Sequence, residues 1–280
     1  MKGKPMRRTI IYGVIAVFLF AALFLATFRS RRTPAGENAF QIVAFGDSVL
    51  GLVRDETAVP ARLQALTGKT VYNASLGGTC AARNRADKRM DQARGSLSLA
   101  GLTKALWAED FSVQKTVRMR ENKTEYFPET IEGLMKVDLS QAETVIIQHG
   151  LNDYHAGILI ENPEDPYDVY SYLGALRTSI DTLKKINPEL RIILLTPTYA
   201  WYIAYEQTGE EIDYGGGTLS DYVEAEIRLA QEMDVEILDL YHGVYSCESG
   251  ESWEAYTIDG IHPNEAAREM LAERIAEVLR

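Results

Sequence analysis

The sequence is poor in basic residues once its first 32 positions are set aside. Those positions hold seven of the 29 lysines and arginines and no acidic residue, which leaves 22 basic against 40 acidic residues in the other 248. The resulting formal charge of −18 would repel a phosphate backbone, so it argues against general nucleic-acid binding. Internal repeats and low-complexity tracts are also lacking, and a composition of 46% hydrophobic and 25% charged residues excludes a disordered or collagen-like chain.

Cysteine is scarce as well, since Cys80 and Cys247 are the only two. A disulfide requires Cα atoms about 4.4–6.8 Å apart, and nothing in the sequence places the two cysteines that close together. We expect two unpaired thiols, with pairing left open for a domain outside the cytoplasm.

The N-terminal region has the pattern of a membrane anchor. A basic tail at residues 1–8 precedes twenty uncharged residues, 9–28, which are long enough as a helix to cross a hydrocarbon core of about 30 Å. A cleaved signal peptide is the alternative, but the apolar run is long for one and lacks a small-x-small cleavage site. Four basic residues before the run and three after it favour a cytoplasmic N-terminus and an extracytoplasmic domain. Residues 29–38 are a linker to a domain at 39–280.

In that domain short β-branched runs alternate with segments of helical periodicity. The predicted strands are residues 40–45, 70–72, 144–148, 191–196 and 235–238, and the predicted helices are 59–66, 96–108, 167–186, 220–233 and 264–279. This alternation indicates an α/β fold with a central parallel sheet and helices on both faces. Because ligands of such sheets bind at the carboxyl ends of the strands, we expect the functional residues directly after each strand.

Ser48 follows the first predicted strand, in Gly-Asp-Ser. A serine hydroxyl needs a base to take its proton and donors to stabilise the oxyanion. Of the histidines at positions 149, 155, 242 and 262, only His262 stands in Asp-Gly-Ile-His-Pro-Asn, where an acid three residues earlier lies before a turn and a final helix. That spacing lets Asp259 bind Nδ1–H and leaves Nε2 to face a hydroxyl. Each motif alone is also typical of helix capping, so the chain order of Ser, Asp and His is the more informative signal.

Two further strand ends carry candidate oxyanion donors. The second strand is followed by NASLGGT (residues 73–79), where a glycine can turn a backbone N–H toward the site. The third is followed by HGLND (residues 149–153), where the carboxamide of Asn152 can donate. Either segment alone is ordinary turn chemistry.

Together these four segments resemble the four blocks of the SGNH, or GDSL-type, hydrolase family. The resemblance covers residues 40–280 and implies a three-layer, doubly wound flavodoxin-like fold and ester hydrolysis through an acyl-serine. It implies Ser48 as nucleophile, His262 as general base and acid, and Asp259 as the residue that orients it. The implied oxyanion hole comprises the N–H groups of Ser48 and Gly78 and the side chain of Asn152. Val49 replaces the usual leucine of the first block, at an apolar packing position.

The resemblance requires no metal and no organic cofactor. His149, Asp153 and His155 have a spacing that a metal site could use, but a hydrolase of this type needs none. Residues 81–138 are long for a simple crossover, and we interpret them as a helix-rich insertion that covers the active-site edge. They include a basic stretch that is either a solvated helix face or a rim for an anionic partner: Arg83, Arg85, Lys88, Arg89 and Arg94.

Aromatic residues follow the fourth strand at 197–202, with Tyr205, Tyr214 and a run of three glycines nearby. This segment is a candidate pocket wall that suits sugar rings or acyl chains. The sequence thus predicts a membrane-anchored serine esterase that acts on an acylated carbohydrate of the cell envelope or its surroundings. The alternatives are an acyltransferase, a lysophospholipase or thioesterase with the same triad, and a non-catalytic envelope-binding module.

Overall fold

The computed structural model describes residues 39–83, 95–117, 128–245 and 252–280. These residues form one parallel sheet, whose strands lie in the order β2-β1-β3-β4-β7. Counting only the strands of this sheet, the order is 2-1-3-4-5, which is that of flavodoxin-like doubly wound sheets. The strands are β1 (Ile42–Gly46), β2 (Val71–Asn73), β3 (Thr144–Gln148), β4 (Arg191–Leu195) and β7 (Glu236–Leu238).

The central strands β1 and β3 are buried along their whole length, whereas the edge strands β2 and β7 are partly exposed. Strands that are covered on both faces have near-continuous apolar sequences, which is why β1, β3 and β4 were predictable from short hydrophobic runs.

The described helices are α1 (Ser48–Gly51), α2 (Val59–Thr67), α3 (Leu99–Ala108), α4 (Pro128–Leu134), α5 (Leu151–His155), α6 (Tyr172–Ile186), α7 (Leu219–Met233) and α8 (Glu265–Val278). They cover the sheet in two groups. Helix α2 packs against α8, whereas α3 packs against α6, which also contacts α7. The predicted α/β fold with a central parallel sheet is therefore confirmed.

Helix α6 begins five residues later than the helical periodicity predicts. Asp165 and Asp168 accept hydrogen bonds from backbone N–H groups two residues ahead, both at 3.0 Å, and so hold residues 165–170 in turns. Ser171 then caps the helix by accepting from the N–H of Gly174 at 3.3 Å. Short polar side chains that bond to nearby backbone groups compete with helix formation. At residues 165–170 these bonds form in place of the helix, which therefore starts later.

A short antiparallel hairpin, β5 (Trp201–Tyr202) and β6 (Gln207–Thr208), lies in the aromatic segment after β4. Two residues per strand are too few for an alternating pattern, so the sequence gives no sign of this hairpin. The N–H of Trp201 donates to the carbonyl of Gly260 at 2.7 Å, which fixes the hairpin against the loop that precedes α8.

Several predictions concern residues outside the described part of the chain. These are the basic tail at 1–8, the transmembrane helix at 9–28, the linker at 29–38, Cys247 and the basic stretch beyond Arg83. Among the described residues, no helix has both the length and the hydropathy needed to cross a bilayer. Arg83 itself donates its N–H to the carbonyl of Val169, and its guanidinium lies 5.9 Å from the centre of the Tyr170 ring.

Candidate active site

Ser48 stands where the first strand meets its helix, and its side chain is almost buried. Strand β1 ends at Gly46, and Asp47 caps α1 by accepting from the N–H of Val49 at 2.9 Å. Ser48 is the first residue of α1 and is 7% exposed to solvent. The carboxyl ends of β2 and β3 lie at the same edge of the sheet, so the segments that follow them reach this serine.

Ser48, His262 and Asp259 form a continuous hydrogen-bonded chain. The Oγ of Ser48 lies 2.9 Å from Nε2 of His262, and Nδ1 of His262 lies 2.7 Å from Oδ2 of Asp259. The second oxygen of Asp259 accepts from the N–H groups of His262, at 2.8 Å, and Ile261, at 3.1 Å. Burial raises the pKa of Asp259, but these hydrogen bonds and the nearby imidazole outweigh it and hold the pKa below its usual value. Asp259 is therefore an anion that fixes one tautomer of His262.

Gly260 allows the loop of residues 259–262 to pass close to the β5 strand. Its φ is +87°, a conformation that side chains disfavour, and a Cβ at this position would collide with the carbonyl oxygen of Trp201. The position therefore requires glycine, and the close approach places Trp201 beside the loop that carries His262.

The carboxamide of Asn152 is held by the buried carboxyl of Asp47. The Nδ2 of Asn152 donates to Oδ2 of Asp47 at 3.2 Å, which uses one of its two hydrogens. Burial raises the pKa of Asp47 to about 6, although the Val49 N–H, the His262 imidazole and Asn152 all act in the opposite direction. Sequence analysis gave Asp47 only a capping role, because the contact spans 105 positions of the chain.

Gly78 adopts a left-handed conformation, with φ of +71°, and a Cβ added there would meet no atom within 4 Å. The residue therefore lies at an open surface of the segment after β2. Within the described part of the chain, no intramolecular hydrogen bond occupies the N–H of Ser48 or that of Gly78. Both groups are thus available to an external acceptor.

Asp153 and His149 anchor the segment that carries Gly78. The fully buried carboxylate of Asp153 accepts from the N–H groups of Ala81 and Ala82, both at 2.9 Å, and burial raises its pKa to about 7. His149 is fully buried next to this segment, and burial lowers its pKa to about 4, although the neighbouring backbone of Thr79 acts in the opposite direction. The described residues contain no group of three or more His, Cys, Asp or Glu side chains arranged to hold a metal ion.

Arg54 is a further positioning residue that sequence analysis missed. Its partly buried guanidinium, three residues after the end of α1, donates to the carbonyl of Gly51 at 3.0 Å and to that of Asn73 at 3.1 Å, and also to the carbonyl of Ser75. These bonds tie the helix of Ser48 to the segment that leads to Gly78. No local pattern could have revealed them, because carbonyl acceptors are present at every residue.

A second Asp-x-x-His pair has nearly the same local geometry as the first. Nδ1 of His242 lies 2.8 Å from Oδ2 of Asp239, whose Oδ1 accepts from the N–H groups of His242 and Tyr241, both at 3.0 Å. The imidazole of His242 is 57% exposed, and among the described residues no hydroxyl is bonded to it. The sequence motif alone therefore does not distinguish the two histidines, and contact with Ser48 does.

Cys80 lies two residues after Gly78 as a free thiol. Burial raises its pKa well above the usual value, and the charges of Asp153 and Asp47 act in the same direction. A protonated, buried thiol is a poor nucleophile, so this environment does not activate Cys80.

Comparisons with known proteins identify the family. A scan of protein-family models matches residues 44–270 to the GDSL-like Lipase/Acylhydrolase family. A search of curated proteins finds no match.

Solved structures share the fold at low sequence identity. A possible lipase from Chitinophaga pinensis superposes with a TM-score of 0.55 at 18% identity, over 86% of this chain and 98% of its own. Est24, described as a carbohydrate acetylesterase from Sinorhizobium meliloti, superposes with a TM-score of 0.51 at 16% identity, over 85% and 97%. Since the family model covers most of the sequence, the chain belongs to the GDSL-like lipase/acylhydrolase family of hydrolases.

Proposed function

We propose that the protein is a serine esterase that cleaves a carboxylic ester through an acyl-serine intermediate. The observation that carries this proposal is the hydrogen-bonded chain from Ser48 through His262 to Asp259. A serine, an imidazole and an anionic carboxylate in this order are the groups that acyl transfer needs.

In the proposed reaction Ser48 Oγ attacks the ester carbonyl while His262 Nε2 takes its proton. The oxyanion of the tetrahedral intermediate accepts hydrogen bonds from the N–H groups of Ser48 and Gly78 and from the second hydrogen of Asn152 Nδ2. His262 then gives its proton to the leaving alcohol, and the acyl group stays on Ser48. A water molecule, deprotonated by His262, attacks the acyl-serine, releases the acid and restores the hydroxyl.

For the substrate we propose an O-acylated carbohydrate. The hairpin, which is bonded to the loop of residues 259–262 through Trp201, and the loop after it expose aromatic side chains. They support this choice, because aromatic faces pack against the C–H surface of sugars. Tyr205 is 61% exposed and Tyr214 is 37% exposed. The similarity in fold to a carbohydrate acetylesterase is consistent with this substrate class. An acyltransferase, a lysophospholipase and a thioesterase remain the alternative activities of the same triad.

A panel of substrates, each of which carries a single acyl group, tests the proposal. We expect the purified protein to hydrolyse 4-nitrophenyl acetate and to release acetate from mono-O-acetylated sugars. Acetyl-CoA tests the thioesterase alternative, and a lysolipid tests the lysophospholipase alternative. Acetate release measured with and without an added sugar acceptor separates hydrolysis from acyl transfer. Higher kcat/KM for the lysolipid or the thioester than for every sugar acetate would contradict the carbohydrate assignment.

Loss of the Asn152 carboxamide should lower kcat without a comparable change in KM. We expect Asn152→Ala to reduce kcat about 10²–10³-fold, because the donor acts on the charge that develops in the transition state. Asn162→Ala, which removes a carboxamide bonded to Asp168 and to the N–H of Glu164, serves as the matched control. A decrease of less than about three-fold for Asn152→Ala, in a variant that keeps its melting temperature, would remove Asn152 from the proposed oxyanion hole.

We further propose that residues 9–28 anchor the protein in a membrane, with residues 39–280 on the extracytoplasmic side. The support is the uncharged run of twenty residues between two basic clusters. Protease treatment of intact cells tests the orientation, since an extracytoplasmic domain is digested. A domain that becomes accessible only after lysis would contradict this orientation, and extraction by alkaline carbonate would contradict the anchor.

A further inference from the structure

A series of contacts joins the helix of Asn152 to the loop of residues 259–262, which carries His262. Trp201 donates its N–H to the carbonyl of Gly260, and the neighbouring Tyr202 lies with its hydroxyl 2.6 Å from Nε2 of His155. His155 is the last residue of α5, three positions after Asn152 and hence on the same face of the helix. The partly exposed imidazole of His155 therefore lies on the wall of the site, between Asn152 and the loop of His262.

This wall faces the alcohol part of an ester. The oxygen of the leaving alcohol must lie near Nε2 of His262, because that nitrogen protonates it. His155 is on the His262 side, as the contacts through Tyr202 and Trp201 require. The charge of a protonated His262 also acts on His155, second only to burial in lowering its pKa to about 4. His155 is therefore a neutral imidazole at neutral pH.

Only one of the two ring nitrogens of His155 has a hydrogen-bond partner among the described residues. That nitrogen is Nε2, which lies 2.6 Å from the hydroxyl of Tyr202. No described residue bonds to Nδ1, and this atom is at least partly exposed to solvent.

We propose that Nδ1 of His155 forms a hydrogen bond with a hydroxyl group on the alcohol part of the substrate, so that the site selects esters of polyols such as sugars. The ring of Tyr214, whose centre lies 5.7 Å from that of His155, provides an aromatic surface beside this acceptor. The inference rests on the proposed esterase function and names a group that recognises its substrate.

The test compares two acetyl esters that differ only in the alcohol, a mono-O-acetylated sugar and 4-nitrophenyl acetate. We expect His155→Phe, which keeps a planar ring and removes both nitrogens, to lower the ratio of kcat/KM for the sugar ester to that for 4-nitrophenyl acetate about ten-fold. His155→Asn keeps a polar amide group near the position of Nδ1 and should retain more of the ratio than His155→Gln, whose amide extends toward Tyr202. His242→Phe, at an exposed imidazole on another strand end, should leave the ratio at the wild-type value.

The outcomes separate this inference from the esterase function. If the wild type hydrolyses neither ester, the proposed function fails. If it hydrolyses 4-nitrophenyl acetate but no sugar acetate, or if the ratio is the same in wild type and His155→Phe, the role of His155 is overturned while the esterase remains. Should His155→Phe not fold, equal ratios for His155→Asn and His155→Gln would overturn the role as well.

Discussion

Replacing Ser48 by alanine is expected to abolish labelling by a fluorophosphonate and to lower kcat for 4-nitrophenyl acetate by about 10⁴–10⁶-fold. The reagent forms a bond with an activated serine oxygen, and the hydroxyl of Ser48 is hydrogen-bonded to an imidazole that an aspartate orients. The variant loses a single oxygen at the first position of a short helix, where alanine is well tolerated. The fold should therefore be unaffected, and the loss reports on chemistry.

Cys80→Ala is the matched control, because Cys80 carries a thiol two residues after Gly78. Its thiol is kept protonated by burial, so we expect the variant to be labelled like the wild type. Labelling that persists in Ser48→Ala and disappears in Cys80→Ala would reverse the assignment. A wild-type protein that the reagent does not label would show that Ser48 is not activated.

The sequence was sufficient for the features that depend on local segments. The strands β1, β3 and β4 and the turn residues at their carboxyl ends are each contained in a few consecutive positions. A parallel sheet brings such ends together whatever the loops between them do, so Ser48, Gly78 and Asn152 could be expected at one edge. The resemblance of the four segments to a family supplied their order and roles.

Features that depend on contacts between distant segments could not be predicted in this way. The hydrogen bonds of Arg54 to Asn73 and Ser75, and the contact of Tyr202 with His155, join residues 19 to 47 positions apart. Which partner each side chain meets is decided by the packing of α1 and of the β5–β6 hairpin, and hairpin strands of two residues leave no periodic signal. The Asp-x-x-His spacing predicts a local turn but not the catalytic histidine, because it occurs twice in the sequence.

Substitution of His262 by alanine should lower kcat by about 10⁶-fold, whereas the same substitution at His242 should leave it at the wild-type level. Both imidazoles are bonded through Nδ1 to an aspartate three residues earlier, at 2.7 Å and 2.8 Å. Only His262 has a serine hydroxyl at its other nitrogen. The pair of variants therefore separates the effect of the local Asp-His turn from the effect of contact with Ser48, and kcat for 4-nitrophenyl acetate is the measurement.

Asp259→Asn extends the comparison to the carboxylate. The amide preserves the shape of the side chain, but it cannot stabilise the imidazolium that forms when Ser48 loses its proton, and it favours the wrong tautomer of His262. We expect kcat to fall by about 10⁴-fold, less than for His262→Ala, because a base is still present. Equal losses for His262→Ala and His242→Ala would contradict the assignment, and so would full activity of Asp259→Asn. The proposed mechanism thus requires a graded series, with no loss for His242→Ala, an intermediate loss for Asp259→Asn and the largest loss for His262→Ala.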